Sequence, residues 1–467
     1  MNDILTQQDI AAWQPAAVGE SGNPLNRARE RMIRTRQWAP WQALGRRMAI
    51  GCVALEITQR CNLDCTFCYL SENSEALRDI PLDEVFRRID LIVAHYGTGT
   101  DVQVTGGEPT LRNRDELIAI VERLVAKGLR PTLFTNGIKV TRALLEDLSR
   151  AGLVDVAFHV DLTQERAGFD SEQSLNAIRL QYMSLAHGLP LAVMFNTTLF
   201  SRNIAELPML AAFFASQHTQ VRLASFQIGA DTGRGVGRPG DAIDIARVTS
   251  GIRSGIGGAL TFDALSAGHR DCNRYAFGVA ANGKVLDLCA DHDFVTRVYA
   301  AIADVQFDRR SKLASAVAFA RAVLSTPGLR AGVISRALKF ARQHRADLVA
   351  SRGNVGKISF FIHSFMDARS LDRERCDACS FMVMTPEGPI SMCVHNAKRD
   401  DYLLQPARIE TGQMIRFWNP VSGAVTADSP GRAVVALSRK NARGRARTHV
   451  EATAHAATAP AAEGVAS

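Results

Sequence analysis

Short apolar runs recur through the first half of the chain, at Val53–Thr58, Val102–Thr105, Pro131–Thr135, Val154–Val160, Leu191–Thr198 and Val221–Ile228. Between them the apolar spacing changes to i, i+3, i+4, i+7, which predicts amphipathic helices. Leu82, Val85, Phe86, Ile89, Ile92, Val93 and Tyr96 follow that rule, as do Leu117, Ile118, Val121, Leu124 and Val125, with Gly128 placed to end the second helix. Weaker helical patterns run through Leu144–Leu148, Leu175–Leu185 and Ile204–Phe214. Six strand–helix repeats in one run predict parallel strands joined by right-handed crossovers.

Alternation within the strands selects among parallel sheets. Glu56 and Thr58 share one face of the first strand, opposite Leu55 and Ile57; His159 and Asp161 oppose Phe158 and Val160; Asn196 and Thr198 alternate with Phe195 and Thr197. Strands covered by helices on both sides would be more uniformly apolar. A polar inner face suits a barrel with its site at the C-terminal strand ends. The predicted fold is therefore α/β: a partial (β/α)6 TIM-like barrel over residues 50–230, with a C-terminal Cys-rich extension.

Around that core, residues 1–49 read as an N-terminal extension and 231–305 as a connection, Gly- and Ala-rich with little periodicity before residue 270. Turns are expected at Asn282-Gly283 and Pro386-Glu387-Gly388. Residues 306–350 read as basic amphipathic helix, 351–405 as the Cys-rich region, and 425–467, rich in Ala, Arg and Thr, as a disordered tail. The helical segment is a surface helix with a solvated face, or a membrane-surface helix that meets a lipid.

Composition narrows the classes. The chain has 467 residues, 46% hydrophobic and 22% charged, ordinary for a globular protein. No apolar run is long enough to span a bilayer. The start, Met1-Asn-Asp-Ile-Leu-Thr6, lacks a signal pattern, so a cytoplasmic location is expected, with peripheral contact at the inner membrane surface as a variant. The net charge of +8 lies largely in Arg27–Arg36 and Ser438–Arg447, which read as solvated arms. Nucleic-acid contact is the weaker reading, because no binding motif accompanies them.

In a reducing compartment nine cysteines point to metal or redox chemistry rather than to disulfides. Cys61, Cys65 and Cys68 directly follow the first strand with CxxxCxxC spacing, and Phe67 precedes the last. Three close thiolates can hold three irons of a cubane and leave the fourth free for a small molecule. Structural zinc closes all four positions, and no fourth Cys or His stands just after Cys68. The second strand ends in Gly106-Gly107-Glu108-Pro109, at the same barrel mouth. Two glycines admit close backbone approach, and Glu108 offers a carboxylate to an ammonium group.

These two motifs resemble those of the radical S-adenosylmethionine (SAM) superfamily. The resemblance implies a [4Fe–4S] cluster on Cys61, Cys65 and Cys68, with SAM chelated at the open iron. It implies that Phe67 lies near the adenine and that Gly106, Gly107, Glu108 and Pro109 contact the methionine amino group. Thr135-Asn136-Gly137 looks like the position contributing ribose or sulfonium contacts, although Asn-Gly is also an ordinary turn. His159, Asn196 and Thr198 are candidates by position alone, and for His159 an interior hydrogen-bonded role competes. The chemistry implied is reductive cleavage of SAM to a 5′-deoxyadenosyl radical that abstracts hydrogen from an unactivated carbon. A flavodoxin or ferredoxin type donor is the expected electron source.

Cys272, Cys289, Cys376, Cys379 and Cys393 resemble the ligands of auxiliary iron–sulfur clusters in Cys-rich radical SAM extensions. Four of the five could hold one extra cluster, with His363 and His395 as substitutes; zinc and plain buried thiols remain open. Cys52 reads as a small core residue. Together with Phe360–Asp367, this region is similar to the branch that includes tetraether synthase-like lipid enzymes, which ranks a lipid first among substrates. A peptide-modifying maturase is the nearest rival, and a non-catalytic iron–sulfur protein or an RNA-modifying enzyme stands behind it.

Overall fold

A computed structural model describes residues 3–18, 30, 51–235, 243–265, 267–302, 305, 307–308, 311–411 and 414–436. Six parallel strands form its centre: β1 (Cys52–Thr58), β2 (Asp101–Gly106), β3 (Arg130–Thr135), β4 (Asp155–His159), β5 (Ala192–Leu199) and β6 (Val221–Ile228). Each pairs with its neighbour in chain order. The strands that periodicity picks out are therefore the strands that form. Their outward residues, such as Val53, Leu55 and Ile57, are fully buried against the crossover helices Leu82–Tyr96, Arg114–Ala126, Arg142–Ala151, Asn176–Ala186 and Leu207–Ser216. Their inward residues, among them Glu56, Gln103, His159 and Asn196, line the bore.

The C-terminal half extends this run at both ends. The hairpin β7 (Asn273–Ala281) and β8 (Lys284–Asp287) turns on Asn282 and Gly283, both at positive φ, as that dipeptide predicts. Next, β9 (Gly356–Ser364) pairs parallel to β6, and β10 (Phe381–Thr385) pairs parallel to β1. A tight hairpin through Pro386 and Glu387 leads from β10 into β11 (Gly388–Ser391). The sheet order is β11-β10-β1-β2-β3-β4-β5-β6-β9-β7-β8. Side chains rather than backbone bonds bridge β9 and β10: Phe381 of β10 meets Phe361 and His363 of β9 at ring distances of 5.8 and 4.4 Å. The barrel is thus a parallel run closed by an aromatic seam.

Two segments differ from their sequence reading. Residues 231–270 contain a helix, Ile245–Ile256, capped by Asp244, whose Val248, Ile252 and Ile256 are buried. Its Gly255 sits where a Cβ would lie 2.0 Å from the Pro208 carbonyl oxygen, so the glycines that suggest a loop are there for close packing. Residues 425–436 are placed rather than disordered. Val425–Thr426 pair with β13 (Met414–Trp418), which pairs with β12 (Ala407–Thr411). Arg27–Arg29, Arg31–Arg36, Ser438–Arg447 and the tail from 437 onward lie outside the described residues.

The N-terminal segment docks on the Cys-rich region. Thr6 and Asp9 form a capping box on the helix Gln7–Ala12, and Leu5 and Ile10 pack with Met366, Cys376, Ile390 and Val394. Residues 311–350 are helical, as Lys312–Ser325, Leu329–Gln343 and Arg345–Ala350. Among the described residues no helix is long and apolar enough to cross a membrane.

Candidate active site at the barrel mouth

Cys61, Cys65 and Cys68 lie half-buried in the loop that leaves β1, and all three line a cavity of about 2290 Å³. Burial pushes the Cys61 thiol up to about 11 and raises Cys65 well above its ordinary value, with Cys68 adding to both and Arg234 opposing. The loop is fixed from two sides. Thr66 N–H donates to the Thr163 carbonyl at 2.8 Å, and Gly235 N–H donates to the Cys68 carbonyl at 3.0 Å. A Cβ on Gly235 would lie 2.4 Å from Cys68 N, and one on Gly233 2.4 Å from Tyr69 C. Between these glycines the buried Arg234 pairs with Glu75 at 2.8 Å.

Sequence reasoning missed this Gly-Arg-Gly strap, because it lies in a stretch read as connection. Arg234 compensates negative charge beside the thiols. Among the described residues no three metal-ligating side chains converge on one point. A cubane does not ask for that, since each thiolate takes a different iron.

Gly106 and Gly107 border the loop on its inner side. Gly106 has φ +127°, and a Cβ on either would lie 2.0 or 2.1 Å from the carbonyl oxygens of Thr58 and Arg60. Any side chain here would force the two loops apart. Gly107 and Glu108 donate their N–H groups to those same carbonyls at 2.9 and 2.8 Å.

Glu108 is fully buried, and its carboxylate is already occupied. Oε1 accepts from Thr110 N (3.1 Å), Thr110 Oγ1 (2.6 Å) and Thr135 Oγ1 (2.7 Å); Oε2 accepts from Asn136 N (2.7 Å). It is therefore a tie between β2 and β3, a duty the motif does not reveal. Asn136 in turn donates Nδ2–H to Asn62 Oδ1 at 2.7 Å, next to Cys61. Its carbonyl accepts from Arg166 and Tyr182, two residues the sequence reading passed over. Phe67 packs on Phe200 at 5.4 Å and faces Gly229, where a Cβ would come within 3.2 Å of its ring.

At the C-terminal end of β4, His159 Nε2 meets Asp161 Oδ2 at 2.5 Å and Thr198 Oγ1 at 3.2 Å. Burial alone would lower the imidazole pKa, but the Asp161 carboxylate raises it above 6.5. Asp161, buried yet held at about 2 by His159 and its hydrogen bonds, orients the ring. The hydrogen-bonded interior reading of His159 holds, and the ring, with its register partner Asn196, also lines the cavity. On β1, Glu56 receives Arg399 Nη1 on both oxygens at 2.6 and 2.7 Å. Burial would raise the Glu56 carboxyl, and the Arg399 guanidinium overrides it, to about 2.

Four distal cysteines come together and one does not. Cys272, Cys379 and Cys393 line a small pocket with His269, His363 and Arg375; the buried Cys376 adjoins Cys272, Cys379 and Cys393 closely enough for their charges to raise its thiol, after burial. Arg375 Nε lies 3.3 Å from Cys272 Sγ. Burial and Arg375 lower His363 to about 3, leaving a neutral imidazole beside the group.

Cys289 is excluded from this group. It packs with Ala264, Leu265 and Val295, its thiol 3.7 Å from the Phe277 carbonyl. The β7–β8 register carries it opposite Ala276, four residues or roughly 13 Å of strand short of Cys272. His395 is likewise no substitute ligand, because it stacks on Tyr402 at 5.6 Å beside Arg399. Cys52 is buried in the bore wall.

The donor set of three thiols and a glycine cradle fits a cubane with a small chelating ligand. Residues 55–184 match the family model of the radical SAM superfamily. The GTP 3′,8-cyclase of Streptomyces coelicolor is 41% identical over 112 residues, 23% of this chain and 32% of that protein. A PqqA peptide cyclase of Bradyrhizobium diazoefficiens is 30% identical over 159 residues, 33% of this chain and 41% of that protein. The chain thus spans under half the length of these relatives. Streptococcus suis SuiB bound to S-adenosylmethionine is similar over 43% of this chain and 45% of that one, at 16% identity and a TM-score of 0.35, too slight to carry an argument. The matched stretch carries both the cysteine triad and the Gly-Gly-Glu-Pro loop, so residues 55–184 form a radical SAM domain, of a superfamily that works with a [4Fe–4S] cluster and SAM.

Proposed function

We propose that the protein cleaves SAM reductively at the barrel mouth and abstracts hydrogen from an unactivated C–H of an apolar substrate, a lipid chain first among the candidates. When bound, a cubane with one open iron would supply the one-electron reduction of the SAM sulfonium, the source of the radical chemistry proposed here. Cys61, Cys65 and Cys68 would hold the cluster, with Arg234 balancing its charge. Gly106 and Gly107 would let SAM lie against backbone, and Glu108 would act by locking Asn136 and the β2 loop in place. Phe67 would face the adenine. His159, held by Asp161, would present a proton or a hydrogen bond within the bore. The apolar lining of the cavity would limit water around the reactive carbon.

One observation carries this reading: the three thiols, the glycine cradle and a large cavity with an apolar flank open on one another. An external one-electron donor of flavodoxin or ferredoxin type would reduce the cluster. Cys272, Cys376, Cys379 and Cys393 would hold an auxiliary cluster, the four thiols the fold assembles.

A second reading, a peptide-modifying maturase, is favoured by the PqqA peptide cyclase relatives. A non-catalytic iron–sulfur protein would need neither the cradle nor the cavity. Anaerobic reconstitution with iron, sulfide, dithionite and SAM tests the core of the proposal: 5′-deoxyadenosine should form, and its absence would leave only the non-catalytic reading.

A further inference from the structure

The helices Lys312–Ser325 and Leu329–Gln343 form a hairpin that buries almost nothing of itself: among their described residues only Val323 and Leu329 are buried. Large apolar side chains instead face outward. Leu313, Val317 and Leu324 are 76%, 51% and 54% exposed on the first helix, and Ile334 and Leu338 are 54% and 67% exposed on the second. Their i, i+4 and i+7 spacing gathers them on one face of each helix. An apolar face this continuous marks a contact surface rather than scattered exposure.

Charge selects the occupant. Residues 311–350 hold seven Lys and Arg against one acidic residue, Asp347, which Lys284 already pairs at 3.1 Å. Arg321, Arg330, Lys339, Arg342 and Arg345 are exposed. A second copy would bring the same positive charge face to face. An anionic surface would complement it.

The opposite side of the hairpin faces inward. Phe319, Val333, Ala337 and Phe340 line the same cavity that reaches Cys65 and Cys68. Arg336 fixes the hairpin over that cavity, paired with Asp291 at 2.5 Å and lying 4.0 Å from the Phe294 ring centroid.

We infer that this hairpin seats the protein on an anionic lipid bilayer, its apolar face in the headgroup–acyl boundary and its basic side chains among the headgroups. A hydrocarbon chain can then pass along the hairpin's inner face into the cavity without crossing water. That second step rests on the proposed function; the docking does not.

Co-sedimentation of the full chain with vesicles tests it. The wild type should bind equal-part phosphatidylglycerol/phosphatidylcholine vesicles about tenfold or more tighter than phosphatidylcholine alone. Two variants should each lose about tenfold or more: R321E/R330E/K339E/R342E, and L313S/L338S. The leucine variant keeps every charge of the terminal arms, so its loss locates the contact at the hairpin. Circular dichroism and lipid-free 5′-deoxyadenosine formation should match wild type in both.

Unchanged vesicle binding in both variants would overturn the inference. So would conversion of a wild-type dimer to monomer by L313S/L338S, or wild-type binding of an acidic apolar peptide with indifference to vesicles. Vesicle binding without any 5′-deoxyadenosine would uphold the docking and defeat the proposed reaction instead.

Discussion

Glu108 Oε2 accepts the Asn136 backbone N–H at 2.7 Å, and through that bond the loop after β2 sets the loop after β3. The Asn136 side chain then reaches Asn62, beside the first cysteine, so three successive barrel loops share one hydrogen-bonded frame.

Glu108→Gln should therefore disturb more than a ligand contact. An amide turned to keep one oxygen accepting must aim its NH2 at another donor. A buried charged hydrogen bond contributes about 1.5–3 kcal/mol, so a stability loss of that order is expected. The SAM dissociation constant should rise about tenfold through the displaced frame. Thermal unfolding and equilibrium SAM binding check both; a variant of wild-type stability that only binds SAM weakly would show Glu108 to be a direct contact instead.

The Glu56–Arg399 pair joins β1 to a residue 343 positions later. Breaking it with Arg399→Ala should cost about 3–5 kcal/mol, since the carboxylate stays buried without its partner. Removing both charges with Glu56→Gln/Arg399→Met should cost less. In the apo-protein, Glu56 is held at about 2 against its ordinary 4.5. A depressed carboxyl stabilises above its unfolded value and loses that contribution as pH falls through the folded one. Apo-protein stability should thus drop between about pH 4.5 and 2 by an amount of about 3 kcal/mol that Glu56→Gln removes. Denaturant unfolding across that range measures it.

His159 titrates the other way. Asp161 raises its imidazole above 6.5, so the pair stabilises below the unfolded value and its contribution fades as pH rises through the folded one. Asp161→Asn should bring the His159 titration, followed by its ring proton resonances, down below that of wild type. An unmoved midpoint would show that the 2.5 Å contact does not govern the ring.

The distal cysteines divide four to one. Cys379→Ser or Cys272→Ser should lower iron and sulfide to the content of a single-cluster protein, whereas Cys289→Ser should leave them at wild-type levels. Equal losses from all five would contradict the separation of Cys289 from the pocket.

What could be read from the sequence was local. Period-two and period-3.6 patterns place β1 through β6 because each strand buries its outer face on the helix that follows it in the chain. The cysteine triad and the Gly-Gly-Glu-Pro segment are legible because their spacing lies within one loop. Arg399 and Arg234 were not legible, since nothing near them in the chain announces that Glu56 or Cys68 is their neighbour. The pairing of β9 and β10 onto opposite ends of the barrel is equally non-local. The helix Ile245–Ile256 did carry a signal, Asp244 followed by Val248, Ile252 and Ile256, hidden by glycines kept for contact with Pro208 and Leu207. Cys289 misled because its distance from Cys272 is set by the β7–β8 register, which the residues around either cysteine do not reveal.

The account turns on SAM meeting iron held by the first three cysteines. Electron paramagnetic resonance of dithionite-reduced protein, with and without SAM, tests this most directly in a variant with Cys272, Cys376, Cys379 and Cys393 replaced by serine. The remaining reduced-cluster signal should shift when SAM is added, and should vanish when Cys61, Cys65 and Cys68 are also replaced. A signal that ignores SAM, or that survives loss of all three thiols, would contradict the account.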